Sequence, residues 1–143
     1  MCYMLYLSTD CAEDLAPRNT DLMRFEKPDP RFPAPPALQH AHVWYVGSKS
    51  GCSCTFRHLC RGNAEFDFRE PEDWFPEEPD AIAATQQLYA VVAEIVRRGG
   101  QVDLADVWIS EGIPPLQTRE VSLSQVSADH FRLFEGQLFT LRA

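Results

Sequence analysis

The sequence predicts an α/β chain of the α+β type: one main helix packed on a mixed sheet of about five or six strands, with a C-terminal antiparallel hairpin. Three observations predict this class. One stretch, residues 80–98, has helical periodicity, and short β-branched and aromatic runs stand on both sides of it. The 143 residues, 45 % of them hydrophobic, suit a single domain spanning residues 1–143.

The helix is the most clearly patterned element. Ala84, Leu88, Val91 and Ile95 recur at the spacing of one helical face, so that face is expected to be buried. Asp80 is expected to cap the helix, and the pair at 99–100, two glycines, to end it.

Strands are expected in the apolar runs before and after this helix. Each run is short and bounded by turn-forming residues, as strands are. The predicted strands are residues 2–8, 42–47, 102–109, 118–123, 131–134 and 137–141, and the alternating stretch from Cys52 to His58 is a further candidate.

Two segments are expected to be loops. Five of the 11 prolines fall between Pro28 and Pro36, and proline fixes φ and lacks an amide donor, so residues 16–37 are predicted to form a Pro-rich surface loop. Residues 65–79 are predicted to form an acidic loop. This loop is either solvated or a counter-charge for the basic segment 49–62 or for a basic partner.

The charge distribution excludes several classes of partner. The net charge is −8, which argues against binding nucleic acid or an anionic membrane surface. No apolar run approaches the roughly 20 residues that span a bilayer, and the N-terminus does not resemble a secretory signal. A cytoplasmic location is therefore expected, where the five cysteines would stay reduced or bind metal.

The most informative local feature is the segment Cys52–Cys60. In an extended chain Cys52, Cys54, His58 and Cys60 share one face, and thiols and imidazole are zinc ligands. A straight strand rises about 3.3 Å per residue, which holds the two ends of the segment too far apart for one ion. A metal site therefore requires a sharp bend or a ligand from elsewhere, such as Cys2.

A second interpretation is a reactive thiol at Cys52 or Cys54. Residues 49–62 contain Lys49, Arg57 and Arg61 but no acid, and nearby cations lower the pKa of a thiol. A third interpretation is that the cysteines are small buried core residues.

A resemblance groups the same residues. Met1-Cys2, the strand end Val46-Gly47-Ser48 and the stretch Gly51-Cys52-Ser53-Cys54 together resemble small bacterial proteins of uncharacterised function. The resemblance implies no activity, but it draws Cys2, Cys52 and Cys54 together as a group.

The sequence thus predicts a thiol-centred protein, either metal-binding, with zinc as the expected ion, or redox-active through Cys52 and Cys54. A different class is a non-catalytic interaction module or homo-oligomer that uses an exposed sheet edge or one of the two loops. A third is a hydrolase or transferase with an unrecognised polar cleft. The sequence identifies no small-molecule ligand.

Overall fold

The computed structural model describes residues 2–59, 68, 77–109 and 115–143. In these ranges one long helix packs against a six-stranded mixed sheet, and two short strands form a second sheet, so the predicted α+β class is confirmed. The elements are β1 (Cys2–Thr9), β2 (Met23–Glu26), β3 (His42–Ser48), β4 (His58–Leu59), α1 (Pro79–Arg97), β5 (Val102–Ile109), β6 (Gln117–Ser122), β7 (Leu133–Phe134) and β8 (Gln137–Arg142), with 3-10 turns at Ala16–Arg18 and Leu123–Gln125.

The large sheet has the strand order β2-β3-β1-β5-β8-β6. Neighbours are antiparallel except for β6 and β8, which are parallel. Strand β1 pairs with β5 along its whole length, from Cys2 opposite Ile109 onwards. On its other side, pairing with β3 begins only at Leu5. The first three residues of β1 therefore have one edge left for another segment.

The two faces of the sheet are covered differently. Leu5 and Leu7 of β1 belong to the larger core, which also contains most of the buried residues of α1, such as Leu88. Tyr6, which points to the opposite face, belongs to a smaller core that includes Leu38. The Tyr6 hydroxyl also donates a 2.9 Å hydrogen bond to the Phe32 carbonyl oxygen. The Pro-rich segment therefore covers the sheet face that α1 does not.

Helix α1 matches its prediction closely. The four residues of the predicted apolar face are all buried. The helix begins at Pro79, one residue before the predicted start, so Asp80 lies in the first turn instead of capping it. At the other end Gly99 has a φ of 90°, and the Gly100 amide donates a 2.9 Å hydrogen bond to the Ile95 carbonyl oxygen. This left-handed turn satisfies a terminal carbonyl and ends the helix.

The segment after β3 differs from its prediction. Only His58–Leu59 is a strand, and it pairs with β7 in the small sheet, while the preceding stretch from Gly51 is turns and bends. A second difference is β2, an edge strand inside residues 16–37 that lies before the proline-rich part. Its four residues alternate between buried apolar and exposed charged side chains, but so short a run is easily overlooked beside the prolines that follow it.

The C-terminal strands occur where they were expected, but β7 and β8 do not pair with each other, so the predicted antiparallel hairpin is wrong. Strand β7 pairs with β4, whereas β8 lies between β5 and β6. The turn at Gly136, which has a φ of 76°, thus leads from the small sheet into the large one.

Most of the predicted acidic loop, residues 65–79, lies outside the described residues. No helix in the described part of the chain has the length and apolar character that crossing a membrane requires.

Replacing Gly99 tests the helix end. Gly99→Ala is expected to lower the free energy of unfolding by about 1–2 kcal/mol, since a side chain disfavours the left-handed conformation by that amount. Urea unfolding followed by circular dichroism measures the change. Arg97→Ala, at an exposed position of the last turn, is the control and should change the value by less than about 0.5 kcal/mol. Equal stabilities of Gly99→Ala and wild type would contradict the expectation.

Candidate functional site: a cluster of three thiols

Three of the predicted cysteines meet at one end of the large sheet. Cys2 begins β1, and Cys52 and Cys54 lie in the loop after β3. Their sulfur atoms all lie within 4.8 Å of one another, and we call this group the thiol cluster. Cys2 and Cys52 are half-buried, Cys54 is exposed, and all three are free thiols. A sharp bend and a ligand from elsewhere, such as Cys2, are alternatives in the sequence-based prediction, and the fold has both.

A tight turn after β3 produces the bend. The Ser48 amide donates to the Cys52 carbonyl oxygen at 2.8 Å, and the Ser48 hydroxyl donates to the same oxygen at 2.6 Å. Inside the turn the Gly51 amide donates to the Ser48 carbonyl oxygen at 2.9 Å, and Gly51 has a φ of 89°. Glycine adopts that conformation without steric cost, which makes this residue suited to the reversal.

Ser53 attaches the reversed chain to the unpaired edge of β1. Its hydroxyl accepts a 2.9 Å hydrogen bond from the Leu5 amide and donates a 2.6 Å bond to the Val46 carbonyl oxygen, so it bridges β1 and β3. Its amide donates to the Tyr3 carbonyl oxygen at 3.2 Å. Ser53 is fully buried, which makes these bonds costly to lose. Cys52 and Cys54, on either side of it, are thereby held beside Cys2.

The cluster favours a thiolate at Cys52. Burial acts to raise the pKa of the Cys52 thiol, but hydrogen bonds from the Ser50 hydroxyl, the Cys54 amide, and the Cys54 and Cys2 thiols outweigh it. The pKa of Cys52 falls to about 7 as a result. A thiolate at Cys52 is therefore accessible near neutral pH.

The neighbouring thiol behaves in the opposite way. Burial and the hydrogen bond to Cys52 raise the pKa of Cys54 to about 12, although the Tyr3 amide acts to lower it. Two close thiols cannot both ionise easily, since the second negative charge is repelled by the first. Cys54 thus keeps its proton and donates a hydrogen bond to the Cys52 sulfur.

A buried histidine supports the loop from beneath. The Nδ1 of His58 donates to an Asp106 carboxylate oxygen at 2.7 Å, and its Nε2 donates to the Ser53 carbonyl oxygen at 2.6 Å. The Tyr3 ring stacks on the imidazole with a centroid distance of 3.9 Å. Because a carbonyl and a carboxylate are both acceptors, both ring nitrogens carry a proton and the ring is an imidazolium.

The electrostatics of His58 agree with this assignment. Burial favours the neutral ring, but the negative charge of Asp106 and the hydrogen bonds to Asp106 and Ser53 outweigh it and raise the pKa of His58. Both side chains are almost completely buried, so the pair is poorly screened by water.

The predicted metal-ligand set is therefore only partly assembled. Cys2, Cys52 and Cys54 meet, but both nitrogens of His58 are engaged in hydrogen bonds, so His58 supports the cluster instead of joining it. Cys60 lies outside the described residues.

The predicted basic segment has a different role from the one expected. Lys49 pairs with Glu78 and Asp80 at 2.6 and 2.7 Å, and Arg57 is buried in a bidentate pair with Glu77 at 2.6 and 2.9 Å. Arg61 lies outside the described residues. These acids belong to the start of α1 and the residues before it, so two cations of the segment attach the loop to the helix. Hydrogen bonds, not these cations, lower the pKa of Cys52.

A cavity of about 540 Å³ opens beside the thiols. Cys2 and Cys52 line it, together with residues of the segment 26–32 and of strands β1, β3 and β5. Its volume is in the range of small-molecule sites, about 300–1,000 Å³. The thiol cluster thus has access to a space that a small ligand can enter.

Comparison with known proteins adds no identity: no family model, curated protein or solved structure matches the chain.

Sequence reasoning missed two residues that shape the site, Ser53 and Asp106. Asp106 carried a signal, because a carboxylate inside a mostly apolar strand is buried only when it is paired. Ser53 carried no such signal, because serine is a common residue in polar loops. Its role depends on which strands the loop crosses.

Ser53→Ala tests the bridge between β1 and β3. The substitution removes a hydrogen-bond partner from the Leu5 amide and the Val46 carbonyl, so the free energy of unfolding should fall by about 1–3 kcal/mol. Urea unfolding measures this. Ser50→Ala, which removes an exposed hydroxyl 3.4 Å from the Cys52 sulfur, is the matched control and should change stability by less than about 0.5 kcal/mol. If the free energies of unfolding of both variants equalled that of wild type, the bridge would not contribute to stability.

The protonation of His58 is testable by NMR. Its raised pKa means that the His58 contribution to stability is complete below the pKa of the unfolded chain, about 6.5, and is lost as pH rises through the folded value. We expect the His58 ring signal, assigned by its loss in His58→Gln, to titrate at higher pH in the folded protein than in urea. A folded midpoint at or below the unfolded one would show that the ring is neutral.

Proposed function

We propose that the protein binds a thiolate-preferring metal ion, zinc first among them, through Cys2, Cys52 and Cys54. The observation that carries the proposal is the approach of three sulfur atoms, all within 4.8 Å of one another, from two separate parts of the chain. The sulfur atoms of a tetrahedral zinc site lie about 3.8 Å apart, because each Zn–S bond is about 2.3 Å. Small side-chain rotations bring the three thiols to that spacing.

The donor set selects the class of metal. Thiolates are soft ligands that favour Zn²⁺, Cu⁺ and iron–sulfur clusters over Mg²⁺ or Ca²⁺. Metal binding requires deprotonated cysteines and releases their protons. The low pKa of Cys52 supplies one such sulfur near neutral pH, and the charge of the bound ion favours deprotonation of the other two. Free thiols of this kind persist in a reducing compartment such as the cytoplasm, where we place the protein.

The fourth coordination position is proposed to face the cavity. Cys2 and Cys52 both line that space, and three protein ligands with one open position are typical of zinc sites that bind an exogenous ligand. An organised cavity beside the thiols also favours this function over a non-catalytic interaction module.

A second candidate function is thiol redox chemistry at Cys52. Its lowered pKa and its contact with the cavity favour a reactive thiolate, with Cys54 as the neighbouring thiol. A disulfide between residues so close in sequence closes a short, strained ring and is easily reduced.

Metal content decides between the two. Protein purified without a chelator or a metal-affinity tag is expected to contain about one zinc per chain by elemental analysis. Cys2→Ser, Cys52→Ser and Cys54→Ser should each lose most of this zinc. Cys11→Ser, at a half-buried cysteine outside the thiol cluster, is the matched control and should retain it.

Two results would contradict metal binding. One is metal-free protein that also fails to take up added zinc. The other is zinc lost equally from the Cys11 control. Metal-free protein in which Cys52 reacts with a disulfide reagent much faster than Cys11 would establish the redox candidate instead.

A further inference from the structure

The cavity beside the thiol cluster combines three different chemical environments. The sulfur atoms of Cys2 and Cys52 line one part of it, and apolar and aromatic side chains line another. A third part is charged. The apolar and aromatic residues are Met4, Phe32, Tyr45 and Ile109, and the charged residues are Glu26, Lys27 and Asp29.

From this lining we infer that the cavity binds an aminothiol. Such a ligand is a small molecule with a thiol at one end, an apolar body and an ammonium group at the other end. This inference rests on the proposed metal site, because the ligand's sulfur would occupy its open position.

The preference for a thiol follows from the donor set. Three thiolates outweigh the two positive charges of zinc by one negative charge, so the centre withdraws less charge from a bound water than a zinc held by neutral histidines. Such a centre is poorly suited to activating water and well suited to a soft donor. With a metal held by the three cysteines, a thiol ligand would release its S–H proton to solvent as its sulfur replaced a coordinated water.

The preference for an ammonium group follows from the contacts that the charged lining residues already make within the protein. Asp29 is paired with Arg31 at 2.7 Å, and the Lys27 ammonium lies over the Trp44 ring at 3.9 Å from its centroid. Glu26 has a weaker contact, 3.7 Å from Arg24, and its side chain is about half exposed. Glu26 is thus the carboxylate with most capacity left to receive a cation from the ligand.

The apolar part of the lining sets the shape of the ligand. Met4 and Ile109 lie on neighbouring strands beside Cys2, and Phe32 belongs to the Pro-rich segment that covers this face of the sheet. Contact with these side chains favours a hydrocarbon body between the thiol and the ammonium group. A volume of about 540 Å³ also accommodates more than a two-carbon linker.

Three matched probes test the inference on zinc-loaded protein by isothermal titration calorimetry. These are 6-aminohexane-1-thiol, 6-aminohexan-1-ol, which lacks the sulfur, and hexane-1-thiol, which lacks the ammonium group. The aminothiol is expected to bind, the amino alcohol to show no binding at concentrations where the aminothiol saturates, and the plain thiol to bind more weakly. Glu26→Gln should weaken aminothiol binding about two- to fivefold, as expected for a partly exposed charge pair, and leave the plain thiol unchanged.

The zinc content of each sample is measured before and after titration, so that failure of the inference is distinct from failure of the metal site. Absence of zinc at the start overturns the proposed function. Retained zinc with no aminothiol binding overturns the aminothiol inference alone, as do equal affinities of the aminothiol and the plain thiol. Loss of zinc in Cys60→Ser would also overturn it, because a fourth protein thiol would then fill the open position.

Discussion

The hydroxyl of Ser53 is the contact on which the site depends. It accepts a hydrogen bond from the Leu5 amide and donates one to the Val46 carbonyl, which joins two neighbouring strands through a side chain from a loop. A serine hydroxyl can do both at once, because it carries one donor and two acceptor lone pairs. Since Ser53 stands between Cys52 and Cys54, the same contact that completes the sheet edge also sets the position of two thiols relative to Cys2.

A buried ion pair reinforces this contact from the helix-facing side of the sheet. The imidazolium of His58 donates to Asp106 of β5 and to the Ser53 carbonyl, so the loop is held by side chains of two elements as well as by β1. A buried charge is costly unless it is paired and hydrogen-bonded, and both conditions are met by His58. The result is a buried, hydrogen-bonded support beneath thiols that are themselves half-buried or exposed.

The cations near the cysteines in sequence do not set the pKa values of the thiols. Lys49 and Arg57 pair with acids at the start of α1 and just before it, which links the loop to the helix. The pKa values of the thiols are instead set by burial, by the other thiols and by nearby hydrogen-bond donors. Cys52 ionises readily, while Cys54 retains its proton. The result is a group of three sulfur donors, one of them readily ionised, that lie close enough together to hold a metal ion.

Local pattern by itself determined the helix, most strands of the large sheet and the cysteines of interest, because periodicity and turn residues act over a few positions. Within the described residues, tertiary structure decided the rest. Strand β2 and the bend at Gly51 depend on which strand edges of the sheet are left unpaired. The approach of Cys2 to Cys52 and Cys54 joins segments about fifty residues apart in the chain. The roles of Asp106 and Ser53 were decided in the same way. A hydrogen bond between distant strands has no sequence period, so only the folded chain shows which polar groups are buried together.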